Sequence, residues 1–460
     1  MRRLDWLYRV FERSTAETFM IWREQTFNYG WLLGQILVWG KRLREVNAAP
    51  GTVLSIEGDY SPETVALLLA SIELGCIVAP LATGLPAQRE EFKNISEVQV
   101  AIAFSGGDQF SITVRDIEVR NPLTRKLAIQ ADGKGNPGLI VFSSGSTGKS
   151  KAALHDFTLL LEKFKVRRHS LVTLMMLALD HLGGLNTLFY VLSNGGTIVF
   201  MEGRDPETVC RAIDCHSVAL LPTSPTFLNL LLISEAYKRH NLSSLRRITY
   251  GTEVMPLRTL QRLHEILPGV DLLQTYGLSE LGVLRSKSRS TDSLWVKVGG
   301  EDFETKVKEG TLWVRAKSAM LGYLNAPSPF DSDGWFNTGD SVEVDGEYIR
   351  ILGRKSELIN VGGEKVYPVE VENVLLEMEN VEDVAVSGAP NSITGQIVVA
   401  RFSLSGPEEL RDFRKRMREF CRGRLAAFKI PAKIEIAEEA LYGERFKKMR
   451  GLPVRFGGAE

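Results

Sequence analysis

Residues 143 to 151, Ser-Ser-Gly-Ser-Thr-Gly-Lys-Ser-Lys, bring backbone freedom, hydroxyls and positive charge together directly after the apolar run 138–142. Glycines let backbone N–H groups approach an anion closely, hydroxyls add donors, and lysines add charge, so the stretch has the makings of a phosphate cradle. It nearly fits the Walker A pattern G-x-x-x-x-G-K-[ST]. Gly148-Lys149-Ser150 matches its end, but Ser143 stands where the first glycine belongs. A polyphosphate loop is expected, with a P-loop hydrolase acting through Lys149 as a remote alternative. A solvated Ser/Gly linker is disfavoured, because linkers rarely follow so apolar a strand.

Two further segments carry chemistry. Gln274-Thr-Tyr-Gly-Leu-Ser-Glu280 follows the apolar run 270–273 and offers an aromatic ring, a turn, a hydroxyl and a carboxylate. Those are parts for stacking a base, holding a phosphate oxygen and ligating Mg²⁺. Asp333-Gly-Trp-Phe-Asn-Thr-Gly-Asp340 is a turn-rich loop ending in an acid suited to a diol such as ribose. The charged, glycine-rich stretch 353–372 lies between regular elements, where a moving segment could sit. Cys210, Cys215 and His216 cluster without a second ligand pair, which reads as packing rather than zinc.

These residues need a scaffold, and the pattern around them alternates strand and helix. Residues 31–46 have helical spacing, 52–56 read as a strand, and 61–74 read as a helix ended by Gly75. Buried strands are expected at 76–79, 100–104, 171–176, 197–201 and 218–221, which indicates parallel sheets of an α/β fold. After residue 290 short strands with turn signals predict a smaller, more antiparallel unit. The tail returns to α+β: helices at 369–379 and 407–422, strands at 381–386 and 396–403.

A chain of 460 residues implies two or three domains. Lys+Arg and Asp+Glu both total 56, so no global basic field exists to hold nucleic acid or an anionic membrane surface. The four scattered cysteines fit reduced thiols. The start lacks the apolar core of a signal peptide, and the most apolar early segment, 29–40, is far short of the ~20 residues that cross a bilayer. A cytoplasmic protein is expected.

Taken together in this order, the segments resemble the adenylate-forming enzyme superfamily of acyl-CoA synthetases, adenylation domains and firefly-type luciferases. The likeness is greatest to AMP-forming acyl- or aryl-CoA ligases. The family's phosphate loop, Thr/Ser-Ser-Gly-Thr/Ser-Thr-Gly-x-Pro-Lys, is matched at 143–151 with Ser150 in place of proline. Its Tyr-Gly-x-Thr-Glu corresponds to 276–280 with Ser279 for Thr, and its Gly-Trp-Phe-x-Thr-Gly-Asp to 334–340 without mismatch. Its Gly-Arg-x-x-Asp/Glu-x-Ile corresponds to 353–359, and the similarity is expected from about residue 27 to the end.

The resemblance implies roles. Ser143, Ser144, Gly145, Ser146, Thr147, Gly148 and Lys151 would cover the β- and γ-phosphates of ATP. Tyr276, beside Gly277, would stack on adenine, with Gly251, Thr252 and Glu253 on its opposite face. Ser279 would contact the α-phosphate, Glu280 would hold Mg²⁺, and Asp340 with Arg354 would bind the ribose. His181 matches the position that lines the acyl pocket and gates the thiol tunnel. In the segment 444–450 the family's Lys-x-x-Arg spacing selects Lys447 as the catalytic lysine, although Lys448 adjoins it and Phe446 replaces the usual glycine.

A large core domain over 1–353 and a mobile α+β C-terminal domain over 354–460 are likewise implied, with a hinge near 354–356, where Ser356 replaces the usual Asp or Lys. The implied reaction joins a small carboxylic acid to ATP, releases pyrophosphate, and passes the acyl group to a thiol. Free CoA is the first expectation for that thiol, since no carrier domain is fused to the chain, and a phosphopantetheinyl carrier protein is the second. Met175, Met176, Leu177, His181 and 183–185 are expected to line the acid's pocket. Gly183-Gly184 would leave room there, and no fixed cation among these residues would recognise a second carboxylate, so an aryl or medium-chain acid is expected.

Overall fold

The computed structural model of this chain describes residues 3–82, 86–105, 109–133, 135–144, 149–300, 302–437, 439–443 and 446–450. Gly145, Ser146, Thr147 and Gly148 of the expected phosphate loop, and the side chain of Ser144, lie outside the described residues.

Local signals set the first helices. Ser61 caps the helix Pro62–Leu74 in a reciprocal capping box with Thr64, Pro62 occupies the first turn, and Gly75 ends it at φ 87°. This helix and the strand Val53–Glu57 beside it are apolar on almost every side and buried, as expected of elements inside a parallel α/β layer.

Among the described residues two seven-stranded sheets form the bulk of the molecule. One runs Asp271–Gln274, Arg247–Tyr250, Leu220–Thr223, Val172–Leu174, Thr197–Phe200, Thr18–Trp22 and Gln25–Asn28, parallel except for its last strand. The other has a parallel centre, Gly138–Ser144, Ile77–Pro80, Val53–Glu57 and Val100–Ser105, with antiparallel strands at its edges. Ser150–Asp156 is one of these antiparallel strands, and it pairs with Gly138–Ser144 so that Ser143 faces Lys151. A Walker A loop opens a helix. Here the hydroxyl-rich loop joins two strands of a hairpin, which removes the P-loop hydrolase.

The expected antiparallel unit is a six-stranded sheet built around the hairpin Phe336–Asp345 and Tyr348–Arg354. The tail folds around its own core, in which Val371, Leu375, Phe402 and Phe413 are buried. Its helix Pro368–Leu375 is shorter than the 369–379 expected, while its strands extend into a long hairpin, Val381–Asn391 with Gly395–Leu404. Among the described residues, no helix is long and apolar enough to cross a membrane.

Candidate active site

Three neighbouring parallel strands, Leu220–Thr223, Arg247–Tyr250 and Asp271–Gln274, all end at one cleft, where ligands of open α/β sheets commonly bind. The loop after the middle strand needs its glycine. A Cβ at Gly251 would lie 2.5 Å from Thr275 Oγ1 and 2.8 Å from Thr275 O. Thr252 then takes φ 71°, a conformation unusual for a β-branched residue and typical of functional loops.

The cleft, about 210 Å³, is lined by Ser143, His181, Ser279, Glu280, Arg354 and Lys447, together with Gly251, Thr252 and Gly277. A neighbouring cavity brings Tyr276, Asp340, Glu253 and Arg354 together, and Lys447 lines it too. Residues as far apart in the sequence as Ser143 and Lys447 therefore face shared spaces. Lys151 lines neither cavity; its ammonium sits 5.1 Å from the Tyr323 ring centroid.

Each polar group is held by others. Tyr276 is buried, and its hydroxyl donates to Asp340 Oδ2 at 2.5 Å. Arg354, the cross-strand partner of Asp340, approaches Oδ1 at 3.4 Å. Burial raises the Asp340 pKa, against the opposing pull of Tyr276 and Arg354. Each carboxylate oxygen retains a lone pair beyond these partners. Glu280 Oε1 accepts from the Tyr323 hydroxyl at 2.5 Å, which aims a single carboxylate at the cleft. Among the described residues no group of three or more His, Cys, Asp or Glu side chains could hold a metal by itself. One carboxylate fits a magnesium ion that keeps its waters and phosphate oxygens as remaining ligands.

His181 caps the helix Leu182–Asn194, its Nδ1 accepting from the Gly183 N–H at 3.0 Å. In a neutral ring the proton is then on Nε2. Gly184 is required by this helix start rather than by the cavity: a Cβ there would lie 2.1 Å from Ala178 O. Met175, Met176 and Leu185 are buried in the hydrophobic cores, so of the residues expected to line the acid's pocket, Leu177, His181 and Gly183 face the cleft. Among these residues no fixed cation stands, but the space beside them is charged. Lys163, Arg168, Arg247 and Arg285 line an adjoining cavity, brought there from elements distant from 175–185.

Lys447 and Lys448 separate clearly. The chain makes an isolated bridge here, Lys448 with Tyr442, and the two ammonium groups have different surroundings. Lys447 faces the cleft, whereas Lys448 Nζ is buried against Asp383 Oδ1 at 2.8 Å and Val384 O at 2.9 Å. Burial pushes the Lys448 pKa down, but Asp383 and Glu372 outweigh it and keep the ammonium charged. Two residues on, Arg450 pairs with Glu372 at 2.8 Å. The Lys448 N–H donates to Glu253, whose other carboxylate oxygen accepts from Thr226 Oγ1 at 2.6 Å. Ser224 Oγ donates to Phe446 O at 2.8 Å, and Phe446 packs edge-on against Phe227. Phe446, where the family has glycine, is thus a hydrophobic plug against the core.

Two supporting residues went unread in the sequence: Tyr323, and His155, which looks like any histidine in an apolar strand. His155 is fully buried, and its Nε2 donates to Ser279 O at 2.7 Å, fixing the loop that carries Ser279 and Glu280. Burial drives its pKa from 6.5 down to about 4. Between those values the unfolded chain takes up a proton that the folded ring refuses. The stability contributed by the neutral ring is complete above pH 6.5 and is lost as pH falls toward 4, about 3 kcal/mol over the full window. Denaturant unfolding from neutral pH downward should show His155→Gln with a shallower pH slope by up to about one proton. An unaltered slope would exclude this account.

The cleft defines a nucleotide-dependent enzyme of the adenylate-forming class, and the comparisons agree. The profile of the AMP-binding enzyme family matches residues 7–324, and that of the AMP-binding enzyme C-terminal domain matches residues 370–444. The chain belongs to the AMP-binding enzyme family, within the adenylate-forming superfamily. The match begins ahead of residue 27, in the N-terminal helix Asp5–Arg13, whose Leu7, Tyr8 and Phe11 are part of the core.

An indoleacetate–CoA ligase of Aromatoleum aromaticum is 28% identical, over 95% of this chain and 94% of that protein. A 2-succinylbenzoate–CoA ligase of Bacillus pumilus is 26% identical, over 95% of each. The crystal structure of an anthranilate CoA ligase in complex with anthranoyl-AMP has the same fold, with a TM-score of 0.82 at 21% identity over 98% of this chain and 96% of that one.

Proposed function

We propose that this chain is an AMP-forming acid–CoA ligase. The observation that carries the reading is one cleft faced by Ser143, His181, Ser279, Glu280, Arg354 and Lys447. In the first half reaction a carboxylate oxygen of the acid attacks the α-phosphorus of ATP. The bond to the β-phosphate breaks, and its electron pair leaves with pyrophosphate. In the second half a thiol attacks the acyl carbon, loses its proton, and expels AMP.

Attack brings a carboxylate against a polyanion, so the chain's task is to gather and hold negative charge. Lys447 offers a cation at the reacting phosphate, and Ser279 a hydroxyl. Ser143 to Gly148 and Lys151 would hold the departing phosphates. Tyr276 and the 251–253 loop would bracket the adenine, and Asp340 with Arg354 would hold the ribose. Fixed groups of this kind stabilise charge without reorganising during the reaction. Glu280 would hold Mg²⁺, which neutralises phosphate charge when bound. His181 would stand between the acyl pocket and the approaching thiol.

The segment 354–460 would act as a mobile domain, turning about 354–356 so that Lys447 leaves once the adenylate has formed. Aromatic-acid CoA ligases among the relatives favour an aryl acid and free CoA; a carrier-protein thiol is the second reading. A carboxylic acid panel scored by pyrophosphate release, with and without CoA, tests this. AMP, pyrophosphate and acyl-CoA in equal amounts are expected. ADP and orthophosphate would overturn the proposal, and thioester formation only on a carrier protein would favour the second reading.

A further inference from the structure

The cleft shares Asn186, Thr187, Pro222, Thr249, Thr275 and Val283 with an adjoining cavity of about 690 Å³. Its volume suits a small-molecule tail, and its charge is one-sided. Lys163, Arg167, Arg168, His169, Arg247 and Arg285 line it, and no Asp or Glu among the described residues does. Arg247 is neutralised by Asp271 at 2.8 Å. Lys163 donates only to a neutral acceptor, Val283 O, at 2.6 Å. Arg168 and Arg285 form no ion pair among the described residues. The chain as a whole has zero net charge, so this excess of cations is local.

Gathering cations in a concavity is unfavourable unless an anion comes to them. Burial, and then Arg168 and Arg285, push the Lys163 pKa down to about 7. The tension is therefore present in the free protein, and an anion among the three would relieve it. The rest of the cavity is mixed, with Phe164, Tyr190, Leu220 and Leu284 as apolar walls.

We propose that the acid activated by this enzyme is a dicarboxylate. One carboxylate reacts in the cleft beside Lys447, an apolar or aryl middle passes Thr249 and Thr275, and the second carboxylate is held by Lys163, Arg168 and Arg285. The inference rests on the adenylation reading and names its substrate class. An anion on the thiol substrate, a phosphate of CoA, is the competing source.

The test compares matched pairs, octanoate with octanedioate and phenylpropanoate with its carboxyphenyl counterpart, in pyrophosphate release without CoA. Wild type is expected to prefer the dicarboxylate of a pair by about 30-fold or more in kcat/KM. In R168M/R285M that preference should collapse to near one, mostly through KM, because each charge-assisted hydrogen bond lost is worth about 10- to 100-fold. R168K/R285K should restore part of it. Equal losses on both members of a pair, or no preference in wild type, would overturn the proposal. So would unchanged adenylation with a raised KM for CoA, which would give the cations to the thiol substrate. Thermal shifts with the dicarboxylate alone separate this proposal from the adenylation reading. A shift in wild type that R168M/R285M lacks supports the anion site even if no pyrophosphate appears, and no shift together with no preference removes it.

Discussion

Lys447→Ala is expected to lower acid-dependent pyrophosphate release by about three powers of ten. A pair of unit charges near 4 Å is worth about 4 kcal/mol at an effective dielectric of ~20, and each ~1.4 kcal/mol is a factor of ten in rate. The second half reaction, supplied with preformed acyl-adenylate and CoA, is expected to lose much less, because the charge on the α-phosphate has by then been resolved. Single-turnover measurements of each half separate the two. Equal loss in both halves would assign Lys447 to a structural role. Lys448→Ala is the informative control: its ammonium faces away from the cleft into Asp383, so it should lower stability.

That buried pair carries the second large effect. Lys448 and Asp383 are each only 8% exposed, so Asp383→Ala strips a buried ammonium of its hydrogen-bonded counter-charge and leaves only Glu372, itself paired with Arg450, at a cost of about 3 kcal/mol. Both residues lie beyond the proposed hinge, and the pair anchors the segment bearing Lys447 to the C-terminal unit. The Glu253 and Ser224 contacts instead dock that segment on the core. We expect Asp383→Ala to raise amide exchange across 446–450 and to slow adenylation through misplacement of Lys447. In D383A/K448M the uncompensated charge is gone, and most of the lost stability should return, giving a coupling of about 2 kcal/mol or more. Strictly additive losses in the double mutant would refute the pairing as an anchor.

Much of the scaffold was legible because its signals are local. Ser61, Pro62 and Gly75 announce both ends of a helix within fifteen residues, and the helix ends where they say. Tyr276 to Glu280 announces the cleft in the same way, since the motif follows the strand Asp271–Gln274 within two residues, whereas Gly251 was assigned through the family resemblance. What followed the hydroxyl-rich loop was less legible. Residues 150–156 went unread in the sequence, and their pairing with Gly138–Ser144 is what excludes the Walker A geometry. Gly184 misled for a similar reason: a glycine that makes room for a ligand and one that admits Ala178 O look identical in a sequence.

The sequence alone determined the class of chemistry and the elements that bear it, because strand–loop patterns and motif residues depend on neighbours within a few positions. Tertiary structure decided which groups meet. It turned Lys447 into the cleft and Lys448 into a buried pair, and it placed His155 under Ser279. It also gathered Lys163, Arg168 and Arg285 around one cavity. The physical reason is that charge and burial are properties of distance in space, and residues remote in the chain have no distance until the sheets have assembled.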